Sequence, residues 1–231
     1  VLPFIRPQQI VARAKGMLFN TPVKYYFDGT DVTNYTRKGN IIELTGVTGT
    51  FSEGDIIGYY SSGAFTPTGR ILGVYVKSTG VRLYVAADPY TTTYTTNSTI
   101  QNGFFNAAGT YTSSTASGTL TSTSHFGGRF VNVANTTTIQ ISSLASSANN
   151  YYNGNTIYVC AGTGIGQSAN IASYNGVTKT ITLSTPITAA NNDIYSIGSF
   201  TTDETGSLYG VFNLPGNTFH NGQRVLRIDN R

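Results

Sequence analysis

The chain has 231 residues, of which only 10% are charged, and its formal net charge is +4. An ordinary globular domain carries about 25% charged residues, so the surface here is built largely from Thr, Ser, Asn and Gly. The basic residues are scattered and form no cluster that would follow a phosphate backbone, which argues against nucleic-acid binding. No apolar run approaches the roughly 20 residues that cross a bilayer, so we expect no membrane insertion.

The composition predicts an all-β protein with essentially no helix. Thr, Tyr, Val and Ile favour strands, Gly and Asn favour tight turns, and no window combines helical spacing with caps. The single cysteine, Cys160, cannot form an intramolecular disulfide and lies in an apolar run, where we expect a buried small hydrophobe. No signal peptide is visible. Because the chain begins at Val1, we expect a processed product or a piece of a longer protein.

The opening residues alternate in a way that predicts two strands. In Gln9–Lys15, the side chains of Ile10, Ala12 and Ala14 would lie on one face of a strand, and those of Val11, Arg13 and Lys15 on the other. Val23–Phe27 follows as a second strand and ends at an Asp-Gly pair, which is a strong signal for a hairpin turn.

A shift in charge divides the chain. Residues 89–192 contain no Asp or Glu, whereas both ends are charged. Chain ends that lie close together in one domain are a common arrangement. The predicted division is a split β-sandwich domain of residues 1–38 plus 200–231, an inserted β-module of residues 39–90, a low-complexity linker or arm of residues 91–124, and a second inserted β-module of residues 125–199.

The two inserted stretches before residue 125 differ in pattern. Gly69–Val76 and Val81–Val85 flank a Gly-containing turn and predict a hairpin. Residues 91–124 are so poor in apolar residues that a chain of this composition is often disordered. The alternative is that they extend against neighbouring subunits, with Phe104 and Phe105 as anchors.

The second module contains four apolar runs between turn signals, which predict a compact antiparallel meander: Ile157–Cys160, Ile171–Tyr174, Thr180–Leu183 and Ile194–Ile197. Between the first two lies Gly162–Gln167, which has the composition of a phosphate-binding loop. Such a loop needs a helix N-terminus and a Lys or acidic partner at the right offset. Neither follows, so a structural hairpin loop is favoured over a phosphate site.

The residues able to carry chemistry form no recognisable site. His125 and His220 have no second His or Cys at metal-ligand spacing. Asp28 and Asp31 fail the spacing of a calcium loop, and a hairpin turn is favoured. The adjacent acids Asp203 and Glu204 would point to opposite faces of a strand, unlike the facing carboxylates of a glycosidase. We therefore assign no catalytic, cofactor-binding or metal-binding residues, and we expect no cofactor and no enzyme activity.

Tyrosine doublets suggest surfaces for binding. In each of Tyr25-Tyr26, Tyr59-Tyr60 and Tyr151-Tyr152, one ring should face out of a strand. Such rings suit a subunit interface or contact with a host polysaccharide, and core or subunit contact is favoured.

Three stretches resemble structural proteins of tailed bacteriophages. Residues 154–197, with the pattern G-T-G-x-G-Q-S followed by I-x-x-Y-N-G-x-T-K, are similar to a small β-module of tail and baseplate proteins. The segment T-G-T-F-S-E-G-D-I-I-G at residues 48–58 resembles another such module. The ends, A-K-G-M-L-F-N-T with Y-Y-F-D-G-T-D-V-T and then G-V-F-N-L-P with F-H-N-G-Q-R, resemble a β-sandwich domain of tail fibre and structural proteins.

The resemblance implies a virion context and not an activity. The expected function is that of a tail fibre or baseplate subunit or adaptor, assembled in the host cytoplasm and acting by protein–protein contacts. Its expected partners are other virion tail or baseplate proteins and further copies of itself, with a trimer favoured. The alternative is a module that recognises a host-surface glycan, and a polysaccharide depolymerase has the least support.

Overall fold

The computed structural model describes residues 3–87 and 94–230. Apart from one turn of 3-10 helix at Thr33–Tyr35, the regular structure of these residues is all strand, which confirms the all-β fold class. The strands are β1 (Gln8–Ala14), β2 (Val23–Phe27), β3 (Thr30–Asp31), β4 (Thr36–Lys38), β5 (Asn40–Thr48), β6 (Ile56–Ser61), β7 (Ala64–Lys77), β8 (Gly80–Ala86), β9 (Thr99–Phe105), β10 (Tyr111–Ser113), β11 (Ser117–Ser124), β12 (Gly127–Arg129), β13 (Asn132–Val133), β14 (Thr138–Gln140), β15 (Thr156–Ala161), β16 (Ser168–Asn175), β17 (Thr180–Leu183), β18 (Ile194–Ile197), β19 (Leu208–Leu214) and β20 (Leu226–Asn230).

The chain forms two compact units. The terminal unit comprises residues 1–38, 126–142 and 146–231, and the inserted unit comprises residues 39–125 and 143–145. The terminal unit therefore contains both chain ends and nearly all of the predicted second module.

Two three-stranded antiparallel sheets from the chain ends form a sandwich in the terminal unit. Their strand orders are β1-β19-β4 and β20-β2-β3. The two predicted faces of β1 are present: Ala12 is buried and Ile10 and Ala14 are partly buried on the inner one, and Val11 and Arg13 are exposed on the outer one. The core between the sheets is rich in aromatic residues and contains Ala12, Val23, Tyr25, Phe27, Val32, Phe200, Leu208, Phe212, Leu214 and Phe219.

The terminal unit also contains a seven-stranded antiparallel sheet of order β12-β18-β15-β16-β17-β14-β13. All four predicted strands are present as β15, β16, β17 and β18. Their predicted order as a simple meander is wrong, because β18 pairs with β15 and not with β17. The connection from residue 184 to residue 193 returns the chain to the far side of β15. There β18 buries the side chains of Ile194, Tyr195 and Ile197.

Side-chain contacts join this sheet to the sandwich. The thiol of Cys160 lies 3.2 Å from the carbonyl oxygen of Thr36, and the N–H of Lys38 donates to the hydroxyl of Ser196 at 3.1 Å. The amide of Asn34 donates to the carbonyl of Gly166 at 3.2 Å. The split domain and the second module thus form one packed body.

The inserted unit is a sheet that closes on itself. Its strands follow the order β9-β11-β5-β8-β7-β6, and β6 pairs again with β9. The predicted hairpin of Gly69–Val76 and Val81–Val85 is present as β7 and β8. The interior holds Ile42, Leu44, Phe51, Ile57, Ile71, Val81, Leu83, Val85, Ile100, Ala116 and Leu120.

The stretch predicted as a linker or arm, residues 91–124, is part of this closed sheet over its described residues. β9 and β11 lie between β6 and β5, and Ile100 and Leu120 are completely buried. Few apolar residues are needed here because a strand in a closed sheet buries only one of its faces. The small number of apolar residues was therefore a misleading sign of disorder in this segment.

Candidate functional site

The glycine-rich loop at residues 162–167 encloses a carboxylate of the chain itself. The N–H groups of Thr163 and Gly164 donate to Asp193 at 3.0 and 3.3 Å, and the N–H of Ala190 donates to it at 3.0 Å. Asp193 is 6% exposed, and a Cβ at Gly162 would overlap its carboxylate. The donors that a phosphate would need are occupied, so the favoured structural hairpin loop is confirmed.

The acids singled out from the sequence stabilise turns. Asp28 has a positive φ of 53° in the hairpin turn before β3, and its carboxylate lies 2.6 Å from Arg224. Asp31 contacts Lys24 at 3.0 Å and accepts the N–H of Thr33. Burial alone would raise the pKa of Asp31, but the bonds from Thr33 and the charge of Lys24 lower it. The hairpin-turn interpretation of Asp28 is therefore confirmed.

Asp203 is likewise bound into its own turn. Its carboxylate accepts hydrogen bonds from the N–H and hydroxyl of Thr205 and from the N–H of Ser207. These hydrogen bonds hold the tight turn that precedes β19. The neighbouring Glu204 is exposed.

The cysteine and the histidines also occupy structural positions. Cys160 is completely buried, and burial raises the pKa of its thiol far above the usual range, so the thiol stays protonated at neutral pH. His220 stacks on Phe4 with the ring centroids 4.3 Å apart, and His125 is 6% exposed in the inserted unit. Within residues 3–87 and 94–230, no group of three His, Cys, Asp or Glu side chains could hold a metal ion.

Open clefts on the described surface include one in each unit. One, of about 680 Å³, is in the terminal unit between β1 and β20, and the other, of about 480 Å³, is in the inserted unit beside the β7–β8 turn. No carboxylate lines either of these two clefts. Apolar side chains such as Val11, Leu226 and Ile228 line the first, and Val47, Val74 and Val76 line the second.

An aromatic surface is the most distinctive exposed feature of the inserted unit. We define it by Tyr60, Phe65, Phe105 and Tyr111. The rings of Phe65 and Tyr111 stack with centroids 4.9 Å apart and planes 6° apart, and Tyr60 stacks on Tyr111 at 5.2 Å. Phe105 meets Phe65 edge-on at 5.6 Å. The exposed fractions of Tyr60 and Phe105 are 47% and 36%.

Strand register brings these rings together. Tyr60 is the cross-strand partner of Phe65, and Tyr111 is the partner of Phe105. Gly103 lies beneath Phe65, since a Cβ there would be 2.7 Å from the ring. The sequence predicted Phe104 and Phe105 as anchors and one outward ring in each tyrosine doublet. It gave no sign that distant aromatic residues would meet.

The outward-facing prediction holds for the doublets. Tyr60 is exposed and Tyr59 half-buried, Tyr151 is 55% exposed and Tyr152 is 3% exposed, and Tyr25 is buried beside the half-buried Tyr26. The assumption that each doublet lies in a strand is wrong for Tyr151-Tyr152, which occupies a turn.

The aromatic surface carries no formal charge of its own. Residues 56–69 and 90–124 contain no Asp, Glu, Lys or Arg. Its polar groups are hydroxyls and amides from Tyr, Ser, Thr and Asn. A surface of this kind suits a neutral partner, either a saccharide or the aromatic face of another protein.

Comparison with protein-family models, with curated proteins and with solved structures found no match to this chain. No helix in the described part of the chain is long and apolar enough to cross a membrane. Of the features described above, the aromatic surface and the cleft along β1 are the candidates for a functional role.

Proposed function

We propose that this chain is a structural subunit of a tailed-phage virion, in the tail fibre or baseplate, and that it acts by protein–protein assembly. The observation that carries the proposal is where the polar chemistry lies. Asp28, Asp193, Asp203 and Cys160 are bound into turns and cores, whereas the exposed features are rings and a strand edge. Surfaces of that kind recognise partners by shape.

The resemblance of the chain ends and of both insertions to tail proteins supports the virion context. The low charge and high Thr, Ser and Asn content suit a protein that meets many neighbours. The expected partners are other tail or baseplate proteins and further copies of this chain. The fibre context favours a trimer, in which weak contacts repeat around an axis and act together.

The virion role is tested by locating the chain in particles. Purified phage particles from the host would be separated into tails and capsids, and the chain would be detected by mass spectrometry. We expect the chain in the tail fraction at a fixed copy number. Its absence from tails, together with no binding to any purified tail or baseplate protein, would rule out the proposal.

A second candidate, recognition of a neutral host-surface glycan, is favoured by the aromatic surface. Stacked rings beside hydroxyl and amide groups, without charge, suit the apolar faces and hydroxyls of sugars. A glycan array would be probed with the native chain, with Tyr60→Ala and Tyr111→Ala, and with Tyr151→Ala as a control. Tyr151 is 55% exposed, against 47% for Tyr60, and lies in the other unit. Binding lost in the first two variants and kept in the control would support this candidate, and no binding by the native chain would reject it.

A further inference from the structure

β1 is the longest strand that has a sheet neighbour on only one side among the described residues. It has seven residues, whereas the other strands at open sheet edges have two to five: β3, β4, β10, β12, β13 and β20. All seven residues of β1 pair with β19 without a register shift. Proteins usually protect such an edge by shortness, a bulge, a proline or charged side chains. β1 has no bulge and no proline, and Arg13 is its one charged side chain.

The open side of β1 faces the cleft of about 680 Å³ that it shares with β20. β20 is the edge strand of the opposite sheet, so the sandwich is open along this seam. Ala14, Met17, Leu226 and Ile228 line the seam and are only partly buried, although they belong to the sandwich core. An added strand would cover these side chains and satisfy the outward main-chain groups of alternate β1 residues.

We propose that the occupant is β1 of a second copy of this chain, paired antiparallel about a two-fold axis at Val11. The two copies would then form one continuous sheet of order β4-β19-β1-β1-β19-β4. Val11 is 42% exposed on the outer face of the strand. In the pair, the Val11 side chains of the two copies would contact each other and become less exposed.

The sequence of β1 is self-complementary in this register. An antiparallel pair centred on Val11 places Gln9 opposite Arg13 and Ile10 opposite Ala12, with residue numbers that sum to 22 in each pair. The cation therefore faces a neutral amide and not a second cation, which would destabilise the pair. On the inner face Ile10 lies opposite Ala12, and Gln8 lies opposite Ala14 at each end of the pair, so no like charges oppose each other on either face.

A contact of this kind is isologous, because the same strand is used by both partners. It closes after two copies and gives a dimer or an even-numbered assembly. This differs from the trimer favoured by a fibre context, so the stoichiometry separates the two. The inference concerns the chain alone and does not rest on the virion role.

The test begins with native mass spectrometry and sedimentation over a range of protein concentrations. We expect a concentration-dependent dimer of the native chain. Val11→Lys would place two cations in direct opposition and raise the dissociation constant about tenfold or more. Val11→Glu would do the same with two anions, and an equimolar mixture of the two variants would restore the dimer as a heterodimer.

Val177→Lys is the matched control, because Val177 is 84% exposed in a turn of the same unit, and its dimer should persist unchanged. Circular dichroism would check that the Val11 variants keep the fold. As a second readout, a short bismaleimide should link two copies of Val11→Cys, since native Cys160 is buried. A strictly monomeric native chain, a dimer that survives Val11→Lys, or a mixture that stays monomeric would each overturn the inference.

The outcomes also separate this inference from the proposed function. A dimer that is broken by Val11→Lys in a chain absent from phage tails would support the β1 pairing and contradict the virion role. A native chain that binds tail proteins but remains a monomer would support the virion role and contradict the β1 pairing.

Discussion

Asp193 lies inside the loop around Gly164, and its carboxylate accepts the N–H of that glycine at 3.3 Å. It also accepts the N–H of Thr163 and of Ala190, each at 3.0 Å. A loop with the composition of an anion-binding cradle is thus filled by an anion from the same chain. Binding of an external phosphate would first require this carboxylate to leave.

The first prediction concerns this carboxylate. Asp193→Ala leaves three N–H groups without their acceptor, of which that of Gly164 is buried and those of Thr163 and Ala190 are part-buried. A buried group left unsatisfied and not rescued by water costs about 1–3 kcal/mol. We expect a loss of at least about 2 kcal/mol in the free energy of unfolding. Denaturant unfolding measures it, with the exposed Glu204→Gln as control. An unchanged midpoint in Asp193→Ala would show that the loop holds its shape without the carboxylate.

The second prediction concerns Gly176, in the turn between β16 and β17. A Cβ there would overlap the carbonyl oxygen of Ser147 and lie 2.7 Å from the carbonyl carbon of Ala148. Because both obstacles are main-chain atoms, Gly176→Ala should destabilise the terminal unit by about 1–3 kcal/mol. Thermal unfolding would be compared with Val177→Ala at the exposed neighbouring position. Equal melting temperatures for the two variants would contradict the close approach.

The third prediction is a loss of stability at alkaline pH through Tyr174. Its hydroxyl donates to the carbonyl of Ser146, and burial raises the pKa of Tyr174 to about 12 from the usual value of 10.0. Because the folded-state pKa lies above the unfolded value, the contribution of Tyr174 is fully present below pH 10.0 and is lost as the pH rises towards 12.

Tyr174→Phe removes the ionisable group and provides the comparison. The variant should be less stable than the native chain at pH 8, because it lacks the hydrogen bond, and should lose less stability between pH 9 and pH 11.5. Urea unfolding at each pH measures both effects. Parallel pH profiles for the two proteins would assign the alkaline loss to other groups, such as Tyr25, whose pKa burial also raises.

The fourth prediction concerns Cys160. The thiol is completely buried and its pKa is raised by burial, so it should not react with a disulfide reagent in the native protein. One thiol per chain should react after unfolding. Val177→Cys supplies an exposed thiol for comparison and should react at once. Rapid reaction of Cys160 under native conditions would show that β15 separates readily from the sandwich.

Much of the fold follows from local pattern. Alternation in Gln9–Lys15 predicted β1 and the residues that share each of its faces, and turn signals predicted the hairpin of β7 and β8. The four runs of the second module became β15 to β18. These predictions succeeded because a strand with one buried face must repeat every two residues, and that constraint acts over a few neighbours in sequence.

Pairing over long distances could not be inferred in this way. β18 joins β15 across the module, and β9 joins both β6 and β11 to close the inserted unit. The partner of a strand depends on which apolar faces fill a common core. The same strands with the same apolar faces could be connected and paired in many different orders. For this reason residues 99–124 were predicted as part of a linker or arm, whereas in the structure they form strands that pair with neighbouring strands.

The amino-acid sequence by itself determined the all-β class, the positions of strands such as β1, β2, β7, β8 and β15 to β18, and which of their side chains share a face, because these depend on local alternation and on Gly, Asn and Asp at turns. Only the tertiary structure decided that Asp193 occupies the glycine-rich loop, that Tyr60, Phe65, Phe105 and Tyr111 form one surface, and that β1 is left at an open edge. Each of these relationships joins residues far apart in the chain, and their proximity is set by how the sheets close and pack.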